Sequence, residues 1–279
     1  VQIIRRLEAL NEALGLYAQA GEAVALVPTM GALHAGHMAL VDAARRRAPR
    51  VVVSIFVNPK QFGPNEDLAR YPRREAADAQ MLGEAGVDIL WAPEVEEMYP
   101  AGFATNIGVA GVSDVLDGAH RPGHFDGVAT VVTKLFGQVR PAVALFGEKD
   151  FQQLAVIRRL TTDLNLPVEI VGVPTQREDD GLALSSRNIY LDEGERARAV
   201  TLPRALGEAK RAIERGDDVA TALSAAIATL TRAGFDPDYV TLVDAETLAD
   251  PIRGQPARLL AAAKLGTTRL IDNIAVAFA

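Results

Sequence analysis

Cysteine is absent from all 279 residues, which excludes disulfides, thiolate-held metals and enzyme-bound thioesters. Any acyl chemistry must therefore proceed without a cysteine nucleophile. Long apolar runs are absent too, since no stretch approaches the roughly 20 residues that cross a bilayer. No membrane partner is expected. Positive charge is in deficit: 29 Lys and Arg against 36 Asp and Glu leave a net −7. That balance argues against a nucleic-acid partner, which wants a basic face, but a local cationic cluster can still serve a small anionic substrate. The start, Val1-Gln2-Ile3-Ile4-Arg5-Arg6, shows neither the basic head and apolar core of a signal peptide nor an initiator Met. The natural chain is therefore expected to begin slightly earlier, and the expected compartment is the reducing cytoplasm. What remains is ordinary globular composition, 49% apolar and 23% charged, with length for one large domain or two ordinary ones.

Apolar β-rich runs recur at Val24–Val27, Val51–Val57, Val87–Trp91, Val143–Phe146 and Val168–Val173, with helical patterns at Asp78–Gly86, Val128–Val139 and Gln152–Leu164. Strands alternating with helices predict βαβ units, and continuous Val/Ile runs predict strands covered on both faces of a parallel sheet. Composition changes near Pro174. A polar loop over Thr175–Asn188 follows, then Asp192 and Glu195 with capping-box spacing, Ala-rich helices to about Ala233, and short strands at Tyr239–Val243, Arg258–Lys264 and Arg269–Ala277. The expected fold class is α/β: a Rossmann-like parallel-sheet N-terminal domain over residues 1–175 and a smaller α+β C-terminal domain over 176–279, closing as a lid.

The most informative stretch is Met30-Gly31-Ala32-Leu33-His34-Ala35-Gly36-His37, set between the run Ala23–Val27 and the helical segment Met38–Ala44. A strand that feeds a glycine-containing turn and a helix start offers free N–H groups and a favourable dipole to phosphate. His34 and His37 could be metal ligands, packed turn residues or phosphate contacts. No third ligand with metal spacing accompanies them, so phosphate contact is favoured and no protein metal site is expected.

Other polar segments also follow predicted strands, where open parallel sheets bind ligands. Asn58-Pro59-Lys60-Gln61-Phe62-Gly63 is either a Pro/Gly turn with solvated amides or a pair of amides suited to a hydroxy acid. Arg121-Pro122-Gly123-His124 is either a charged helix start or part of an anionic pocket. In Gly147-Glu148-Lys149-Asp150, Lys149 can act as a point charge on phosphate and Asp150 can engage a ribose, a metal-bound water or the helix start. Leu184-Ser185-Ser186-Arg187 is either a solvated loop or a flexible phosphate grip.

Taken in order, these pieces resemble the pantothenate synthetase (pantoate–β-alanine ligase) family, within the wider group of HxGH nucleotidyl-transferring enzymes. Further matching pieces are Tyr71-Pro72-Arg73, Asp180–Ala183, Leu265-Gly266-Thr267-Thr268-Arg269-Leu270 and Asp272-Asn273, so the resemblance spans nearly the whole chain. It implies ATP, pantoate and β-alanine as small-molecule partners, a pantoyl-adenylate intermediate, Mg²⁺ accompanying ATP, and a homodimer. It also implies catalytic roles for His37, His34 and Lys149, with His37 as proton donor. The implied ATP site comprises Met30, Gly31, Ala32, Leu33, His34, Ala35, Gly36, His37, Gly147, Glu148, Lys149, Asp150, Gln176, Leu184, Ser185, Ser186 and Arg187. Gln61 and Gln153 would hold pantoate, Gln61 would also meet β-alanine, and Asn58 and His124 would support them.

Three positions depart from many relatives: Ala35 replaces Glu, Lys60 replaces an apolar residue, and Ala77 leaves Asp78 as the survivor of an acidic pair. Lys60 can point inward or to solvent. The rival readings are an HxGH enzyme of other specificity, such as an adenylyltransferase or an aminoacyl-tRNA synthetase, and a nucleotide sensor without turnover.

Overall fold

The computed structural model describes residues 1–64 and 66–279. Six parallel strands, β1 (Gln2–Ile4), β2 (Val24–Thr29), β3 (Arg50–Ile55), β4 (Ile89–Trp91), β5 (Val143–Gly147) and β6 (Glu169–Val173), form a sheet in the order β1-β4-β3-β2-β5-β6. Alternation along each strand divides the apolar residues between two layers. Leu26 and Val52 face one side with helices Leu7–Gln19, His124–Val139 and Phe151–Asp163. Ala25, Val27, Val51 and Val53 face the other, packed with residues of helices Ala35–Arg45 and Glu75–Glu84. Burial on both faces is why these runs are continuously apolar.

The chain builds outward from β2 through β3 and β4, then crosses to the other side for β5 and β6. The carboxyl ends of β2 and β5, at Thr29 and Gly147, thus meet at a switch in strand order, where a cleft opens.

The second unit is an antiparallel sheet of β7 (Phe235–Asp244), β8 (Pro256–Leu265) and β9 (Thr268–Ala277). Helices Thr201–Glu214 and Val219–Arg232 cover one face, burying Leu202, Leu206, Ile213 and Leu230 against Phe235, Leu259 and Leu270. Asp192 and Glu195 form the expected capping box at the helix starting at Glu193: Asp192 Oδ1 accepts from Glu195 N at 2.7 Å, and Asp192 N donates to Glu195 Oε2 at 3.1 Å. The other face of the sheet meets the first unit through Leu260, Val243 and Leu248 against Phe151 and Ala155.

Strand β1 was not anticipated, because three residues with only Ile4 buried carry no periodicity. Strand β7 is longer than expected at its start. Pro237 reads as a breaker, yet it sits at a register shift between Pro237 and Tyr239, where the ladder does not need its missing N–H. Among the described residues, no helix is long and apolar enough to cross a membrane.

Candidate active site

The turn after β2 is locked by its neighbours. Thr29 Oγ1 donates to Ser54 O at 2.8 Å and accepts from Gly31 N at 3.2 Å. Ala32 adopts a left-handed φ of +51°. The carboxylate of Asp78, only 2% exposed, accepts from Ala32 N at 2.8 Å and Leu33 N at 2.9 Å. Asp78 thus serves as an anionic plug for a turn whose N–H groups point inward. Nothing in the spacing indicated this, because the two segments lie 45 residues apart.

His34 is the N-cap of helix Ala35–Arg45, with extended backbone. Its Nδ1 accepts from Gly36 N at 3.1 Å, while His37 Nδ1 accepts from His34 N at 3.3 Å. The two rings lie 4.2 Å apart. A Cβ at position 36 would come within 2.8 Å of the His34 ring, so glycine is required for the imidazole to fold back as a cap. With both Nδ1 atoms accepting, the neutral rings carry their protons on Nε2. Burial, then His34 and the Lys149 ammonium, push His37 down to about 3. Burial and Lys149 also lower His34. Both are neutral hydrogen-bond donors near pH 7.

Asn58 is buried and its side chain is fully engaged. Its Oδ1 accepts from Tyr99 Oη at 2.8 Å and Lys60 N at 3.2 Å, and its Nδ2 donates to Gln61 Oε1 and Gly127 O, both at 3.0 Å. The solvated-amide alternative is therefore overturned: Asn58 holds Gln61 in place. Helix His124–Val139 approaches closely here because residue 127 is glycine; a Cβ there would lie 2.3 Å from Lys60 O.

His124 has the opposite tautomer to the first pair. Its Nδ1 donates to Gln61 O at 2.8 Å and its Nε2 accepts from Arg121 at 3.1 Å. Burial, then the Arg121 charge, push it down to about 4. Lys60 is exposed, its ammonium 5.8 Å and 5.7 Å from the Tyr99 and Phe103 ring centres, so it points away from the cavity beside Gln61.

A cavity of about 210 Å³ lies at the strand-order switch. Met30, His34, Gly36 and His37 line it from β2's turn and the helix start after it, Gln61 from the next loop, Gly147 from the end of β5, and Lys149, Asp150 and Gln153 from beyond it. Gln176, Leu184, Ser185, Ser186 and Arg187 complete the mouth. Its floor is apolar, with Val128, Val131, Leu135 and Phe146.

Seven expected site residues do not reach this cavity. Gly31, Ala32, Leu33 and Ala35 are backbone scaffold, Asn58 stands behind Gln61, and Glu148 turns to Arg258 at 3.2 Å. His124 instead lines an adjoining cavity of about 590 Å³ between the two units, which shares Lys149, Asp150, Gln153, Ser185 and Arg187 with the first.

Tyr71, from the Tyr71-Pro72-Arg73 segment, lines the smaller cavity and its Oη lies 3.2 Å from Ser186 Oγ. Arg187 is paired twice with Asp67, at 2.9 and 3.0 Å. Burial alone would raise Asp67, but Arg187 outweighs it and holds the carboxyl below its usual range. Among the described residues, no group of three or more His, Asp and Glu is gathered to hold a metal.

Neutral N–H donors, an ammonium, two glutamine amides and an apolar floor at the switch point of a parallel sheet define a class: an α/β protein built to hold an anionic, partly apolar small molecule beside a phosphate-type group. Sequence and structure comparisons narrow this. The family profile of pantoate-beta-alanine ligase matches residues 2–275. The chain is 68% identical to a pantothenate synthetase of Rhizorhabdus wittichii over 279 residues, covering 99% of each, and 58% identical to one of Novosphingobium aromaticivorans with the same coverage. The crystal structure of pantothenate synthetase from Thermus thermophilus superposes with a TM-score of 0.92 at 51% identity, covering 98% of this chain and 99% of that one. A Francisella tularensis pantoate-beta-alanine ligase, complexed with beta-gamma ATP and beta-alanine, gives 0.83 at 32% identity, covering 98% and 97%. The chain belongs to the pantoate-beta-alanine ligase family.

Proposed function

We propose that the chain joins pantoate to β-alanine in two steps through a pantoyl adenylate. In the first, a pantoate carboxylate oxygen bonds to the α-phosphorus of ATP and the bond to pyrophosphate breaks. In the second, the unprotonated amine of β-alanine attacks the activated carbonyl; the C–N bond forms, AMP leaves with the C–O electron pair, and the amine proton passes to solvent. Family membership supports the overall ligation. The observation that carries the site assignment is the convergence of His34, His37, Lys149, Gln61 and Gln153 on one 210 Å³ cavity.

In this reading the two Nε2–H groups donate to phosphate oxygens as charge builds on them, and Lys149 neutralises the departing pyrophosphate. With His37 pushed down to about 3, its contribution is a hydrogen bond rather than a proton held ready at pH 7. Gln61, oriented by Asn58, and Gln153 hold the hydroxyl and carboxylate groups of pantoate, whose two methyl groups suit the apolar floor. The other mouth residues, Ser185, Ser186, Arg187 and the Gln176 backbone, complete an ATP site. The Leu184 N–H is already taken by Gln176 O at 3.0 Å. Adenylation makes a good leaving group without an enzyme nucleophile, so the lack of cysteine is no handicap.

Asp150 alone beside Lys149 makes no cation cage, so Mg²⁺ would be held by ATP oxygens and water. We place the domain boundary at 175/176, with 176–279 as a lid, and assign a cytoplasmic homodimer. Sedimentation at micromolar concentration showing only monomer would remove the dimer.

The direct test is ATP-dependent pyrophosphate release with pantoate, with and without β-alanine. The two-step ligase requires pantoate-dependent pyrophosphate and β-alanine-dependent AMP and pantothenate. ATP binding without pantoate-dependent release would overturn the reading.

A further inference from the structure

Two adjacent residues of β9, Asp272 and Asn273, are only 2% and 3% exposed. Strand alternation sends them to opposite faces. Asn273 lies toward the first unit, where its Nδ2 donates to Glu148 O at 2.9 Å and to Lys149 O at 2.8 Å. Its Oδ1 accepts from Arg258 Nε at 2.7 Å, and Arg258 also reaches Glu148 Oε2 at 3.2 Å. Only an amide does this: it offers two protons to carbonyls on one side and a lone pair to a guanidinium on the other. Asp272 accepts from Arg177 at 2.7 and 2.8 Å, and Arg177 holds Gly181 O at 3.0 Å in the loop that leads to Ser185 and Arg187.

The segment that Asn273 grips is the short link between the end of β5 and the helix starting at Phe151. Glu148–Asp150 is a single 3₁₀ turn with no side-chain cap and no buried residue. Among the described residues the Lys149 ammonium has one carboxylate oxygen within 4 Å, Asp150 Oδ1 at 3.8 Å, too far for a hydrogen bond. The backbone therefore sets the origin from which the flexible Lys149 stem reaches, and that backbone is held by a residue 124 positions away in the second unit.

We infer that Asn273 is a positioning residue for Lys149, fixing the ammonium at the phosphate side of the cavity from across the interface between the two units. The inference rests on the proposed adenylation, in which Lys149 acts on departing pyrophosphate. A misplacement of about 1 Å at such a group costs on the order of tenfold to hundredfold.

The test is a double-mutant cycle of Asn273→Ala and Lys149→Ala, read as pantoate-dependent pyrophosphate release. Asn273→Ala is expected to lower kcat on the order of tenfold or more, with KM for pantoate within about twofold. In the Lys149→Ala background it should cost less than about threefold, because its route of action is gone. The second half-reaction, β-alanine with chemically prepared pantoyl adenylate, should stay within about twofold in Asn273→Ala. Asn273→Asp, isosteric but unable to donate, should reproduce the Asn273→Ala loss.

Equal costs in both Lys149 backgrounds, a parental kcat in Asn273→Ala, or an equal loss in both half-reactions would each overturn the inference. So would failure of both Asn273 variants to fold, which would mark a purely structural role. If the parent chain releases no pyrophosphate, the adenylation reading fails by itself. The same cycle is then read as ATP affinity by calorimetry: weakening by Asn273→Ala only where Lys149 is present supports the positioning, and equal weakening in both backgrounds refutes it.

Discussion

The two segments to which the proposed mechanism assigns the phosphate donors are held in opposite ways. The turn Met30–His37 is secured within its own unit, by Asp78 beneath Ala32 and Leu33, by Thr29 on Ser54, and by a reciprocal cap between its two histidines. In the segment Gly147–Asp150, Gly147 belongs to the β5–β6 ladder, while the Glu148 and Lys149 carbonyls are held from outside, by Asn273 of the second sheet. A site built this way has one wall that exists whenever the first unit is folded. The other wall takes two of its backbone hydrogen bonds from the second unit. Under the proposed mechanism, that makes Lys149 the component most sensitive to how the two units meet.

The strongest way to sharpen this contrast is to remove one donor from each wall. His37→Ala and Lys149→Ala are each expected to lower pantoate-dependent pyrophosphate release on the order of a hundredfold or more; the urea midpoint should stay unchanged in Lys149→Ala and fall in His37→Ala, which leaves His34 N without its cap. Near-parental turnover in either folded variant would remove that residue from the mechanism.

Breaking the self-contained wall should instead cost stability. Asp78→Asn places an N–H₂ against one of two inward-facing N–H groups and leaves it without an acceptor. A loss of about 2 kcal/mol in urea denaturation is expected. A loss below about half that would show that the turn does not need its carboxylate.

Comparable in size, and carried by His37 in the first wall and His124 outside both, is a pH effect. His37 and His124 are half-buried and neutral, pushed down to about 3 and about 4, whereas in the unfolded chain they titrate near 6.5. Between those values the unfolded chain binds more protons, so stability is fully present above about pH 6.5 and falls as pH drops toward 4. Each histidine should contribute a loss of about 2 kcal/mol by pH 5. Urea midpoints from pH 7.5 to 5 check this, and His124→Gln should flatten part of the slope; an unchanged slope would show that His124 is not held neutral. Asp67 and Asp117 add a separate term in a more acid window. For Asp117, burial would raise the pKa, but Arg269 and Tyr239 outweigh it, so both carboxyls sit below their usual range and their contribution disappears only as pH falls below about 4.

The smallest effect expected is at Lys60, outside both walls. Its exposed ammonium over Tyr99 and Phe103 contributes at most about 1 kcal/mol. Lys60→Met should change the pantoate KM less than about threefold, and a larger shift would place Lys60 in the substrate site.

Much of the architecture was legible in order and kind. The apolar runs at residues 24–27, 51–57 and 143–146 marked β2, β3 and β5, because burial on both faces leaves a continuous Val/Ile signature. The motif at residues 30–37 announced a helix N-terminus, because a glycine-containing turn after such a run has few other uses. Strand β1 was not legible, nor was the start of β7, where a bulge absorbs Pro237.

The amino-acid sequence by itself determined which segments lie at the strand ends, and through them the family. The tertiary structure alone decided what each polar side chain does there. His34 and His37 accept through Nδ1 while His124 donates through it, Asn58 turns its back on the cavity to hold Gln61, and Asp78 plugs a turn rather than pairing with a second acid. Asn273 reaches Lys149 from the far sheet. The physical reason is range. Strand and helix signals are local, set by neighbours within a few residues, whereas the hydrogen bonds of Asp78, His124 and Asn273 join residues 45 to 124 apart, and their donors and acceptors are matched only once the sheets have packed.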